Sequence, residues 1–143
     1  MNAGIRQGRG RAGRGLREAV GRIGDRWSLL VVDALADGPR RWRDLRDALP
    51  GIAPNVLADR LRRLEREGVV ASSPYSRRPL RLSYELTEDG AALTGVLRLL
   101  AAWGGEGTAG PAHRACGTPT EVRWFCPTCA TTADDAADDV TVV

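Results

Sequence analysis

The period of the hydrophobic pattern changes twice along this chain, and that change limits the fold more than any other feature. Apolar residues first recur at helical spacing, as Leu16, Ala19, Val20 and Ile23, and then as Trp27, Leu30, Val31, Ala34 and Leu35, with Asp25 placed to cap the second helix. Arg43 to Leu49 forms a short third helix with Leu45, Ala48 and Leu49 inward, closed by Pro50-Gly51. A fourth begins at Pro54, since the first turn of a helix does not use the N–H that proline lacks; it carries Leu57, Leu61 and Leu64 on one stripe and stops before Gly68. The period then falls to two. Val69 to Ser73 reads as a strand, Pro74 to Pro79 as a turn, and Leu80, Leu82, Tyr84 and Leu86 alternate with Arg81, Ser83 and Glu85. Thr87 restores the helical period by capping a helix from Glu88 to about Trp103, whose first-turn acids Glu88 and Asp89 complement the positive end of its dipole.

Helices followed by a two-stranded hairpin are the order of a winged helix-turn-helix, in which a recognition helix enters the major groove and the hairpin touches the backbone. The expected class is mainly α with a small β part (α+β), and 143 residues suffice for one such core plus appendages. The last helix is more apolar than a lone domain would cover: Leu93, Val96, Leu97, Leu100 and Trp103 share a face that Ala92 and Leu99 widen. The surplus predicts a homodimer joined through the N-terminal helix and the Glu88 to Trp103 helix.

Around the core, residues 16–104, the chain divides into three further parts. Residues 1–15 are rich in Gly and Arg with no apolar period, and are expected to form a disordered arm. The spacing Gly8-x-Gly10-x-x-Gly13 occurs there without the preceding strand that a dinucleotide site needs, so it is accidental. Residues 110–132 hold the cysteines, and residues 133–143, with Asp134, Asp135, Asp138 and Asp139, form an acidic tail expected to act as a solubilising segment. The longest aliphatic run, Leu29 to Val32, is far short of the ~20 residues of a membrane span. A cytoplasmic, nucleoid-associated protein with no membrane partner is the expectation.

The net charge of +3 hides an asymmetry: residues 1–81 carry 18 Arg against 9 acids, and residues 82–143 carry 3 Arg against 9 acids. Such clustering of cations points to a phosphate backbone. Setting Leu57 and Leu61 inward turns Asn55, Asp59, Arg62 and Arg66 outward, with Arg60 and Arg63 on the flanks. Arg can donate two hydrogen bonds to guanine and Asn can pair with adenine, while flanking guanidinium groups suit phosphates. Arg77, Arg78 and Arg81 add charge at the hairpin. The competing account is a solvated face paired internally, Asp59 with Arg62 or Arg63 and Glu65 or Glu67 nearby. The basic hairpin beside the basic helix favours double-stranded DNA.

Several motifs resemble the HxlR-type, MarR-like winged-helix regulators: Ile23-Gly24-Asp25-Arg26-Trp27-Ser28-Leu29-Leu30, Asp37-Gly38-Pro39-Arg40-Arg41-Trp42-Arg43-Asp44-Leu45, Leu49-Pro50-Gly51-Ile52-Ala53-Pro54-Asn55-Val56-Leu57 with Arg60-Leu61-Arg62-Arg63-Leu64-Glu65, and Tyr84-Glu85-Leu86-Thr87-Glu88-Asp89-Gly90. The resemblance covers about residues 16 to 104. It implies a homodimeric bacterial transcription factor, placing two recognition helices and two wings on a pseudo-palindromic operator, with repression the expected mode. Two departures stand out. Many relatives carry a thiol-sensing cysteine ahead of the first helix, where Arg14 to Leu16 has none, and the usual Ser before the recognition-helix proline is Ala53, which removes a cap worth ~1 kcal/mol.

His113-x2-Cys116 and Cys126-x2-Cys129, separated by nine residues, give four ligands in two pairs, the arithmetic of a zinc ribbon. The spacer is expected to form a small hairpin through Val122, Trp124 and Phe125. A disulfide from Cys126 to Cys129 or Cys116, or a redox CxxC, is the alternative, less suited to a reducing compartment or to a segment outside a βαβ unit. One structural zinc ion per chain is therefore expected. With the His and every Cys assigned, no nucleophile and base stand out, so an enzyme is not expected. Two rivals remain: an RNA-binding accessory protein using the Gly and Arg arm and the ribbon, and a regulator switched by metal or an unknown small-molecule effector through the zinc module.

Overall fold

The computed structural model describes residues 8–105, 112–121 and 123–133. Five helices and three strands form the main body: α1 (Gly8–Ile23), α2 (Arg26–Leu35), β1 (Arg40–Arg41), α3 (Trp42–Ala48), α4 (Pro54–Arg66), β2 (Val70–Arg77), β3 (Leu80–Leu86) and α5 (Glu88–Gly104). A separate two-stranded sheet, β4 (Trp124–Cys126) with β5 (Thr131–Ala133), follows. No helix among the described residues is long and apolar enough to cross a membrane.

The core is built mainly from three helices: Val31, Val32 and Leu35 of α2, Leu45 of α3, and Leu57, Leu61 and Leu64 of α4 are all at most 2% exposed, whereas Leu16, Ala19, Val20, Leu30 and Ala48, expected inward, are exposed and α1 gives the core only Ile23. Val69, Val70 and Leu97 close it from the hairpin and α5. Helix α4 ends as its sequence demands. Gly68 takes a positive φ of 71°, its N–H bonds Glu65 O at 3.0 Å, and Val69 N bonds Leu64 O at 2.9 Å while both side chains are buried. This pair of bonds satisfies two end carbonyls, and the left-handed residue reverses the chain so that β2 leaves along the core.

Three expectations are corrected. Helix α1 starts at Gly8, inside the segment read as a disordered arm, because adding turns to the existing Leu16–Ile23 helix requires no new nucleus; residues 1–7 lie outside the described residues. The turn read at Pro74 to Pro79 is shorter, since β2 runs on to Arg77. The pairing shifts register between Pro74 and Ser76, and such an irregularity is where a strand accommodates a proline that cannot donate to the ladder. A third strand also exists: β1 pairs with β3 through Arg40↔Tyr84 and Arg41↔Ser83, giving the order β1-β3-β2. Two residues are too few to show alternation in a sequence.

Helices α1 and α5 leave apolar surface open in the single chain. Leu16 is 68% exposed, Trp103 is 84% exposed, and Val20 of α1 and Val96, Leu99 and Leu100 of α5 are exposed as well.

Candidate nucleic-acid interface

Helix α4 is mounted by its buried leucines, so its opposite face follows from helical geometry. Asn55, Asp59, Arg62 and Arg66 are exposed, as expected. Asp59 Oδ2 accepts from Arg60 Nη1 at 2.6 Å, whereas Arg62 and Arg66 have no ion-pair partner among the described residues. Arg77, Arg78 and Arg81 on the hairpin are likewise exposed and unpaired among the described residues.

Arg60 and Arg63 are used differently. They reach back over the start of α2, where Arg60 Nε donates to Asp25 Oδ1 at 2.9 Å and Arg63 Nη1 lies 3.6 Å from Asp25 Oδ2. Arg63 Nη2 also donates to the Gly21 carbonyl at 2.5 Å. Asp25 is at once the cap of α2, accepting from the N–H groups of Trp27 and Ser28 at 3.1 Å each, and the acceptor for the buried Ser28 hydroxyl at 2.5 Å. Burial alone would raise its pKa, but the Ser28 hydroxyl, the Ser28 N–H and the Arg60 guanidinium together outweigh that and hold it below 3.8. One carboxylate therefore ties α2 to α4 and sets the pose of the exposed face. The spacing of Asp25, Arg60 and Arg63 gave no sign of this, because the contact spans 35 residues of sequence.

A groove of about 500 Å³ between α3 and the hairpin was not foreseen either; it is lined by Arg41, Arg43 and Arg81 together with Trp42, Tyr75 and Tyr84. The Arg41 guanidinium sits 4.6 Å from the centre of the Tyr75 ring. Burial first, and then the charge of Glu65 on α4, raise the Tyr84 pKa against an opposing pull from Arg62. The run Arg40-Arg41-x-Arg43 was the visible signal, but only the sheet brings it opposite Tyr75.

In the C-terminal segment, His113 meets Cys116 and Cys126 meets Cys129. His113 Nδ1 lies 3.3 Å from Cys116 Sγ, inside a turn closed by Gly117 N donating to His113 O at 2.7 Å, with Gly117 at a φ of 72°. Bonding to Thr118, and then to His113, brings the exposed Cys116 thiol down to about 7. Cys126 and Cys129 share the turn between β4 and β5, where bonding to Cys129 and then Thr128 lowers the Cys126 pKa. The expected hairpin through the spacer is thus corrected: the strands wrap the Cys126–Cys129 turn, with Cys126 paired to Thr131. Among the described residues no three of the candidate ligands lie close enough to hold one ion together.

Comparison with known proteins matches the family model "HxlR-like helix-turn-helix" over residues 22–110. The HTH-type transcriptional regulator YodB of Bacillus subtilis is 34% identical over 88 residues, which cover 62% of this chain and 79% of YodB. Rv3095 of Mycobacterium tuberculosis, also an HTH-type transcriptional regulator, is 36% identical over 123 residues, covering 78% of this chain and 77% of its own. Among solved structures, diamide-treated YodB superposes with a TM-score of 0.54 at 34% identity, covering 62% of this chain and 88% of that one. The oxidised redox regulator HypR superposes with a TM-score of 0.59 at 29% identity, covering 63% and 93%. Buried leucines holding a basic helix outward, a basic hairpin beside it, and a family model spanning most of the chain lead to one conclusion: the protein belongs to the HxlR-like helix-turn-helix family of DNA-binding transcriptional regulators.

Proposed function

We propose that the protein is a homodimeric repressor that sets two copies of α4 into adjacent major grooves of a pseudo-palindromic operator, about one turn or ~34 Å apart. The observation that carries this reading is the exposed cationic face of Arg62 and Arg66, with Arg77, Arg78 and Arg81 on the hairpin, all without an ion-pair partner among the described residues. Arg62 and Asn55 read base edges, and the hairpin arginines hold phosphates. Asp59, already engaged by Arg60, discriminates against phosphate approach rather than attracting it. Arg60 and Arg63 act as positioning residues through Asp25.

Dimerisation is supported by the exposed apolar residues Leu16 and Val20 of α1 and Val96, Leu99, Leu100 and Trp103 of α5, whose burial between two copies would remove apolar surface from water. The site of action is the cytoplasm, on chromosomal DNA, with occlusion of a promoter as the mode. A small-molecule effector remains part of the proposal without an assigned pocket.

His113, Cys116, Cys126 and Cys129 would together hold one zinc ion. Three sulfurs and one imidazole, each pair already gathered in a tight turn with N–H groups aimed at the sulfurs, are the donor chemistry of a closed, structural site. Bound there, the ion would staple the two turns of a segment that buries little of its own.

The test is quantitative DNA binding. Arg62→Ala should relax preference at one position of each half-site, a loss of ~1–3 kcal/mol in discrimination. Arg78→Ala should weaken all duplexes alike and lower the salt slope by about one unit per protomer. Equal effects of both on specific and non-specific duplexes would refute the assignment of α4.

A further inference from the structure

Helices α1 and α5, which leave apolar surface exposed, are fastened to one and the same turn: Glu67, Gly68 and Val69, at and just past the end of α4. Carbonyls at a helix end need donors from elsewhere in the chain. Arg22, in the last turn of α1, donates from Nη2 to the Glu67 carbonyl at 2.8 Å and from Nε to Glu67 Oε2 at 3.0 Å. Thr87, the cap of α5, donates its hydroxyl to the Gly68 carbonyl at 2.5 Å and its N–H to the Val69 carbonyl at 3.1 Å. The α5 backbone at Gly90 lies so near the Val69 carbonyl that no Cβ fits between them. On the α1 side the grip is reciprocal, since Arg63 of α4 donates to the Gly21 carbonyl at 2.5 Å.

Close packing adds little to the hold on α1. Among its described side chains only Ile23 is buried, and a cleft of about 260 Å³ separates α1 from α5 beside the turn, lined by Ala19, Arg22, Ile23, Val69, Asp89 and Leu93. The angle of α1 to α4 is thus set by Ile23 and by the hydrogen bonds of Arg22 and Arg63. A guanidinium that donates to two acceptors at once restrains orientation as well as distance.

Resting on the reading of α4 as the DNA-facing helix and of α1 and α5 as the dimer helices, we propose that this turn is the joint that fixes operator spacing. Arg22 and Thr87 are positioning residues: they carry the geometry of the dimer to the end of α4, and so decide which separation of half-sites the two α4 helices accept. Small changes there are amplified because α1 is a lever. Its 16 residues span ~24 Å, so a tilt of ~10° at the joint displaces its far end by ~4 Å, more than the ~3.4 Å rise of one base pair. Each base pair also turns a half-site by ~34° about the duplex axis, so a helix out by one step no longer faces its bases.

The experiment titrates the full chain against fluorescent duplexes carrying two half-sites of an operator selected from a random library. Spacings are the selected one and one or two base pairs more or less, with a duplex of one half-site beside them. Wild type should lose ~10–100-fold in affinity one base pair off the selected spacing, where one half-site forfeits its base contacts. Arg22→Ala, at a half-exposed side chain, should flatten that profile several-fold while sedimenting as a dimer and binding the single half-site as wild type does. Arg22→Lys, which keeps a charged donor without the fork, should fall between the two. Thr87→Val should also flatten the profile, whereas Thr87→Ser keeps the hydroxyl and the cap and should not. A dimeric Arg22→Ala with a profile as sharp as wild type refutes the joint and leaves the assignment of α4 standing. An equal loss at every spacing and on the single half-site refutes it too, since a merely structural role gives that result. If wild type binds but is a monomer, or holds one half-site as tightly as any pair, the dimer and the joint fall together. If it ignores every duplex at low salt, α4 falls with them. Should Arg22→Ala unfold, equal profiles for wild type, Arg22→Lys and Thr87→Val overturn the joint by themselves.

Discussion

Replacing Asp25 by alanine tests the claim that one carboxylate joins α2 to α4. The change removes the cap that accepts from Trp27 N and Ser28 N, worth ~1 kcal/mol. It also strands the Ser28 hydroxyl, whose residue is fully buried and which has Asp25 Oδ2 as its acceptor at 2.5 Å; an unsatisfied buried donor costs ~1–3 kcal/mol. The ion pair with Arg60 is about a quarter exposed on each side and is discounted for screening to ~0.2–1 kcal/mol. The total is about 2–5 kcal/mol, a large fraction of the ~5–15 kcal/mol that a domain of this kind holds. Urea unfolding followed by circular dichroism at neutral pH measures it. Asp25→Asn keeps the Oδ1 acceptor for the cap but puts an amide NH2, a donor, where Oδ2 accepts from the Ser28 hydroxyl; that hydroxyl can turn to accept instead, so the loss should be smaller than for alanine, ~1–2 kcal/mol. The sign with pH follows from the depressed pKa. The carboxylate's contribution is complete above the unfolded value of 3.8 and is lost as pH falls through the lower folded value, so the gap between wild type and Asp25→Asn should narrow only in that acid range. An Asp25→Ala variant within ~0.5 kcal/mol of wild type, or a gap that closes well above pH 4, would refute the account.

Three other outcomes are expected. Gly90→Ala, which in an open helix would add ~1 kcal/mol, should instead lower the melting temperature, because its Cβ would run into the carbonyl oxygen of Val69. Leu100→Arg, at an exposed apolar position of α5, should convert a dimer to a monomer in sedimentation while leaving the far-ultraviolet spectrum of the fold intact. Removing metal with a chelator should unfold the β4–β5 hairpin, read as a change in Trp124 emission, and a Cys126→Ser variant should bind less than one zinc per chain by elemental analysis.

Much of the fold was legible because helix stripes, capping residues and punctuating glycines are local properties. Leu57, Leu61 and Leu64 fixed which face of α4 is buried, and so which side chains are exposed, before any tertiary contact was known. Gly68 fixed where that helix ends. The spacing of His113 with Cys116 and of Cys126 with Cys129 likewise showed that each pair would share a turn, since each is a four-residue feature.

What the tertiary structure alone decided is the use made of those exposed charges. Arg60 and Arg62 are two residues apart and chemically alike, yet Asp25, distant in sequence, holds the first inward, while the second is exposed with no ion-pair partner among the described residues. Arg41 meets Tyr75 only because β1 adds to the hairpin edge, a pairing of two residues with no periodic signature. Local pattern records which way a side chain leaves its own helix or strand, whereas its partner is set by segments folded from elsewhere in the chain, and an arginine's role follows its partner.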